Sequence, residues 1–282
     1  MSAAYPSIGP RQAATAPAAT PVACEVIAQA GFRAGVAELP ALRKAPGPPG
    51  DPPPSPGLLR HADEQTVVGL AALLRAVRGR DPEAGGFADW AILSAPRYLG
   101  RAAFLASFPQ FVKEGAWGIS PHLIAAHSLH SPSGTYSQIL QAHGPNLGVG
   151  GTPGGEREAL LAAATLLESA VVPGVWVVFS GPVDRSTRAE GVAPPAAYEA
   201  LAVALMPVGV CPVVNPARLS IRPGALHLDP ASGSREARAE LLAWTGAIET
   251  AGRVDAGHES AAVPAPHFAP GFARVDAPRG QS

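Results

Sequence analysis

Charge is scarce in this sequence. Only 15% of its 282 residues are Asp, Glu, Lys or Arg, and 21 basic residues stand against 22 acidic ones with no run of one sign. A nucleic-acid binder leaves a basic patch or stripe as its electrostatic footprint, so polyanion partners are not expected. Cysteine is nearly missing as well. Cys24 and Cys211 lie far apart, each beside apolar residues, which reads as two buried thiols in a reducing compartment rather than a disulfide framework. No apolar run approaches the roughly 20 residues of a membrane span. Met1 to Thr20 also lacks the continuous apolar stretch of a signal peptide, so the expectation is a cytoplasmic chain with no membrane partner.

Several chemistries lack their residues. No Gly-x-Ser-x-Gly elbow exists for a hydrolase serine, and Ser128, Ser131 and Ser133 read as small polar helix residues. His122, His127, His130 and His143 cluster in the sequence without a carboxylate or cysteine at ligand spacing, so neither a metal nor another cofactor is expected. Cys211 has no neighbouring cation to lower its pKa and reads as a core thiol.

What the chain has in abundance is apolar residues, at 47%, with 32 prolines and 31 glycines. That apolar content supports one substantial core. The prolines crowd into 46–56, which reads as an extended surface loop for want of N–H donors, and into the region after Val263. The expected organisation is a disordered N-terminal tail over 1–22, an α/β domain over 23–250 and a disordered C-terminal tail over 251–282.

Within the domain, Cys24 to Ala30 reads as a short strand. Ala62 to Arg78 reads as a helix with Val67, Leu70, Leu73, Leu74 and Val77 on one stripe. Trp90 to Ser94 is an apolar strand ended by Pro96, and Tyr98 to Glu114 suits one or two short helices. Ser120 as N-cap and Pro121 open a segment that is mostly helical from Ile124 to Ala142. A βαβ unit follows: Leu147 to Gly151, the helix Glu156 to Ala170, and Val175 to Ser180, a strand apolar on both faces. Ala196 to Met206 reads as a helix, Leu219 to Ile221 and Ala225 to Leu228 as a strand pair, and Glu236 to Thr250 as a closing helix. Alternating strands and helices argue for a layered α/β fold.

The turn Gly144-Pro145-Asn146 leads through Val149, Gly150, Gly151, Thr152, Pro153, Gly154 and Gly155 into the Ala/Leu helix. A strand, a tight turn and a helix aim backbone N–H groups and the positive helix end at the turn, a place suited to a nucleophile. A phosphate reading fails there: no Lys-Ser/Thr closes a P-loop, Pro153 breaks the dinucleotide spacing, and Glu156 and Glu158 oppose an anion.

With Pro132-Ser133-Gly134-Thr135, Gly144-Pro145-Asn146 and Val175 to Gly181, this frame resembles the N-terminal half of the β-ketoacyl synthases, a thiolase-type half-fold. The resemblance is specific between His127 and Asp184 and faint over the rest of Cys24 to Asp229. Counting without gaps from Gly144, the family's nucleophilic cysteine falls on Pro153, and the family's His-Gly-Thr-Gly-Thr segment is missing. The resemblance is to the cysteine-less, chain-length-factor-like subgroup. It implies a chain without independent condensing activity that serves as partner subunit to an active ketosynthase and an acyl carrier protein, in fatty-acid, polyketide or aryl-polyene-type synthesis. A homo- or hetero-dimer is implied, with Ser133, Gly134 and Val149 at the interface around Leu147 to Leu167. The alternative is a self-associating structural or small-ligand-binding protein on the same half-fold. A weaker third reading is an acyltransferase or hydrolase using Cys211 or a serine.

Overall fold

The computed structural model describes residues 21–51, 54–55, 57–79, 86–150, 154–183, 195–210, 213–222, 225–229, 231–245 and 248–249. Both expected tails except Pro21 and Val22, part of the proline-rich loop, Gly151, Pro153 and Cys211 therefore lie outside the described residues.

Eight strands form one sheet in the order β3-β2-β4-β5-β1-β6-β7-β8: β1 (Val22–Gly35), β2 (Ala91–Pro96), β3 (Asn146–Gly148), β4 (Val175–Pro182), β5 (Ala197–Pro207), β6 (Ala217–Arg222), β7 (Ala225–Leu228) and β8 (Ile248–Glu249). β3, β2 and β4 run parallel, while β5, β1, β6 and β7 alternate antiparallel. Among the described residues seven α-helices connect them: α1 (Leu39–Leu42), α2 (Glu64–Arg78), α3 (Arg101–Glu114), α4 (His122–Ala126), α5 (His130–Leu140), α6 (Gly155–Glu168) and α7 (Arg235–Thr245).

The core lies in two slabs, one on each face of the sheet. Under α6 and α7, Ala159, Leu160, Ala163, Leu167, Leu241 and Trp244 meet Leu93, Val177, Phe179, Leu201, Val203 and Leu205. Under α2 and α5, Val68, Leu70, Leu73 and Tyr136 meet Ile92, Trp176, Val178, Ala200, Ala202 and Ala204. A sheet covered on both faces needs strands that are apolar throughout, as β2 and β4 are.

Ala196 to Met206 is a strand, not a helix. Alanine favours helix on its own, but Ala200-Leu201-Ala202-Val203-Ala204-Leu205 alternates small and large with a period of two. The alanines face α2 and admit it closely, and the larger residues face the α6 side, so packing between β4 and β1 overrides propensity. Three other expectations need adjustment. β1 runs to Gly35, well beyond Ala30. The helix expected over Ile124 to Ala142 breaks at His127, where φ is −116° and ψ 16°, and the N-cap of α4 is Pro121 rather than Ser120. α7 stops at Thr245, and Ile248 and Glu249 return to the sheet as β8. Of the one or two helices expected over Tyr98 to Glu114, the structure has one, α3, with Pro109 inside it.

α2 starts as the sequence suggests. The Asp63 carboxylate caps it by accepting from Gln65 N at 2.9 Å, and its last turn carries Arg75 and Arg78. Arg78 donates to Pro49 O and pairs with Asp51, which pins the described part of the proline-rich loop to the end of the helix.

The excursion from α3 to the start of α5 is different in kind. No described residue between Arg101 and Ser131 is buried. Phe104, Leu105, Phe108, Phe111, Val112, Trp117 and Ile124 are all exposed, Trp117 at 99%.

Candidate functional site at the head of α6

The parallel strands β2 and β3 and helix α6 converge on the turn that the sequence singles out. Val149 N donates to Ser94 O at 2.8 Å, prolonging the β2–β3 ladder by one residue past Gly148. Any side chain at Gly148 would strike the Leu129 carbonyl, so the end of α4's connection to α5 sits directly on β3. Gly154 caps α6 with φ of +94°, a left-handed conformation that glycine adopts without strain. Gly150 and Gly155 approach each other backbone to backbone across the turn. Gly144, Pro145 and Asn146 are not part of this site. They open β3 at its other end, where Pro145 O accepts from Ile92 N at 2.9 Å and Gly144 abuts the Trp90 carbonyl.

The positive end of α6 is already occupied by the protein. Glu156, in the first turn and only 4% exposed, accepts from Gly154 N at 3.2 Å and is ion-paired to the Arg97 guanidinium. A carboxylate at a helix N-terminus is stabilised by the dipole and the unpaired N–H groups that an incoming anion would use. Arg97 follows β2 directly, held by Arg97 N donating to Ser180 O at 2.8 Å and by Arg97 O accepting from Gln65 Nε2 at 2.8 Å.

The same guanidinium reaches α7. It donates to Trp244 O at 3.2 Å and lies 4.7 Å from the centroid of the Trp244 ring, which itself stacks on Phe179. Arg157 Nε donates to Thr245 O at 3.2 Å. Two arginines thus satisfy carbonyls at the end of α7 that the helix leaves open, and the dipole favours cations there. α7 thus lies beside α6 at the flank of the site. Arg97 and Trp244 escape sequence reading because neither sits in a motif. The one signal was an arginine placed immediately after the fully apolar strand Ala91 to Pro96.

The histidines do not assemble. His127 Nδ1 lies 2.8 Å from Leu123 O, and its Nε2 faces Asp63 Oδ2 at 3.4 Å. Burial raises the Asp63 carboxyl above the ordinary carboxylate range, opposed by the Gln65 N–H it accepts and by His127. His122 stacks on His61, while His130 and His143 are exposed. Among the described residues, no three His, Cys, Asp or Glu side chains gather as metal ligands do. Ser133 is fully buried and donates to His130 O, whereas Gly134 and Val149 are half-buried. Cys24 is buried and unpaired, and burial, reinforced by Glu25, pushes its thiol up to about 12.

No family model matches this chain, and no curated protein matches it in sequence. Solved structures do. The ishigamide ketosynthase/chain length factor is 16% identical over 71% of this chain and 66% of its own, with a TM-score of 0.50. A ketosynthase in complex with its chain length factor from Xenorhabdus doucetiae is 15% identical over 65% of this chain and 79% of its own, at 0.46. A β-ketoacyl synthase from Burkholderia phymatum is 12% identical over 70% and 62%, at 0.47. At such identities the likeness is one of fold: the chain has the thiolase-like ketosynthase fold, and it spans just under two thirds of the ishigamide protein's length. Among the described residues, no helix is long and apolar enough to cross a membrane.

Proposed function

We propose that this chain is a catalytically silent ketosynthase-like protein. It acts as partner or chain-length-type subunit to an active ketosynthase that draws on an acyl carrier protein, in fatty-acid, polyketide or aryl-polyene-type synthesis. The observation that carries the reading is the Glu156–Arg97 pair at the head of α6. A condensing enzyme needs that helix end free to lower a thiol's pKa and hold a developing oxyanion. Here a buried carboxylate takes the position, α7 closes the flank, and the ungapped count puts Pro153 where the nucleophile belongs. The fold shared with a ketosynthase/chain length factor supports the partner role.

The test is to incubate the purified chain with acyl-CoA and with acyl-loaded carrier protein and to read intact mass. Unmodified mass, together with stoichiometric binding to a full-length ketosynthase from the same host, is the expected result. A covalent acyl adduct would overturn the silence, and an absence of ketosynthase or carrier affinity would overturn the partner role.

A second reading, small-ligand binding, draws on an open cavity of about 640 Å³ between Ser55 and Leu58 on one side and Ser137, Gln138, Gln141 and His143 on the other. A thermal shift with a specific small molecule, in a chain that shows no carrier-protein affinity, would favour it.

A further inference from the structure

The α3–α4 arm runs from Arg101 to Leu129 without burying one of its described residues, so apolar packing does little to hold it down. Its polar attachments carry more of the task. At its far end Leu129 O accepts from Ser94 Oγ at 3.2 Å and lies against Gly148, which seats the arm on the ends of β2 and β3. At its near end Gly100, with φ of +70°, lies so close to His127 that no Cβ would fit between them. The His127 side chain, only 12% exposed, packs there and meets the Phe104 ring edge-on.

We infer that His127 is a proton-dependent latch: it holds the α3–α4 arm to the cap of α2 while the ring carries two N–H groups, and frees the arm when one is lost. Both ring nitrogens face acceptors, Nδ1 at 2.8 Å from Leu123 O and Nε2 at 3.4 Å from Asp63 Oδ2. A carbonyl and a carboxylate accept only, and the imidazolium alone has an N–H for each. The neutral ring serves one acceptor and turns a lone pair to the other. Leu123 belongs to the arm's own helix α4, whereas Asp63 belongs to the body, so the bond to Asp63 is the one that fastens. Asp63 is fixed from its other side, where it caps α2 by accepting from Gln65 N at 2.9 Å. The titratable and charged groups around the pair are Glu64 on α2, paired with Arg43 at 3.2 Å, Tyr136 on α5, Tyr198 on β5, and the His61–His122 stack. Burial pushes both tyrosines up, so they stay neutral, and the stacked rings are exposed, where water screens their charge. Imidazolium and carboxylate attract on the acid side of the histidine range, and the attraction is gone on its alkaline side. Burial also raises the Asp63 carboxyl, but a protonated carboxyl still accepts the Nε2 proton on its carbonyl oxygen. The arm is therefore held at acidic pH and released as pH rises. The latch needs neither the catalytic silence nor the ketosynthase partner.

The experiment is amide hydrogen exchange on the full chain at about pH 5.5 and about pH 8.5, either side of the histidine range, corrected for the intrinsic exchange rate. Nitrogen-15 shifts of the His127 ring, read in parallel, follow the proton itself. Protection of the α3–α4 amides is expected to fall at least about tenfold at the higher pH, the scale of one charge-assisted hydrogen bond, while α2 and α6 keep theirs. His127→Gln supplies an amide that does not titrate, so its arm protection is the same at both pH values. His127→Leu keeps an apolar body against Phe104 but no donor, and its arm is weakly protected at both. His122→Ala leaves the pH dependence in place. A wild-type arm with equal protection at the two pH values overturns the inference, whether that protection is high or low. So does a His127→Gln chain that keeps the pH dependence, or a His127 ring that titrates while arm protection stays constant.

Discussion

Helices α2 and α3 have nearly the same length, 15 and 14 residues, and both are rich in apolar side chains, yet α2 buries residues from Gln65 to Ala76 and α3 buries none of its described residues. α2 is buried from Gln65 through Leu73, on more than one face. It lies low on the sheet because its contact residues are small: Gly69 comes so close to the Tyr136 hydroxyl and Val178 that no Cβ fits, and Ala72 and Ala76 meet the alanine face of β5. α3 carries Phe104, Phe108, Phe111 and Val112, large side chains that stay exposed even though Phe104 meets the His127 ring edge-on. The number of apolar residues does not bury a helix; a surface shaped to receive them does.

A third helix sharpens the contrast. α7 buries Leu241 and Trp244 against the sheet and is tied at its end by Arg97 and Arg157. Arg97→Ala leaves Glu156 buried and uncompensated and is expected to cost about 3–5 kcal/mol in denaturant unfolding, the largest single effect here. The double substitution Arg97→Met with Glu156→Met removes both charges and should recover most of that loss. If it does not, the network contributes more than the relief of a buried charge.

Matched truncations test the two long helices directly. Leu70→Ala in α2 removes a fully buried side chain and should cost about 2–5 kcal/mol, whereas Leu105→Ala in α3 should change unfolding of the monomer by less than about 0.5 kcal/mol. Equal costs would erase the comparison. Gly69→Ala is expected to destabilise by about 1–3 kcal/mol through overpacking against Tyr136, although alanine is the better helix former.

The smallest effect is chemical. In a Cys211→Ser background at pH 8, Cys24 should not react with a thiol reagent while the protein is folded. It is fully buried, and with its pKa pushed to about 12, only about one thiol in ten thousand is ionised. A cysteine introduced as Trp117→Cys should react at once. Fast labelling of Cys24 would show that the sheet opens readily between β1 and its neighbours.

Much of the candidate site was legible for local reasons. Gly154 and Gly155 before an Ala/Leu helix, with an apolar strand on either side, is a pattern that strand and helix periods alone reveal, and β2, α6 and β4 fall where those periods put them. Glu156 was readable as an obstacle to anions because its effect depends on the helix it begins. Its partner was not, since Arg97 is 59 residues away and meets it only because β2 and α6 share one end of the sheet. β5 misled for a related reason. Its alanines speak for helix when read singly, and the alternation that speaks for a strand matters only once α2 and α6 press on opposite faces.

By itself the sequence determined the balance of charge, the scarcity of reactive side chains, and the elements whose apolar period is strong, because these depend on composition and on neighbours a few residues away. Only the tertiary structure decided that β5 is a strand, that Glu156 meets Arg97 at the head of α6 with α7 beside them, and that the apolar residues from Phe104 to Ile124 face outward. Those outcomes depend on which surfaces meet, and residues distant in the chain supply them.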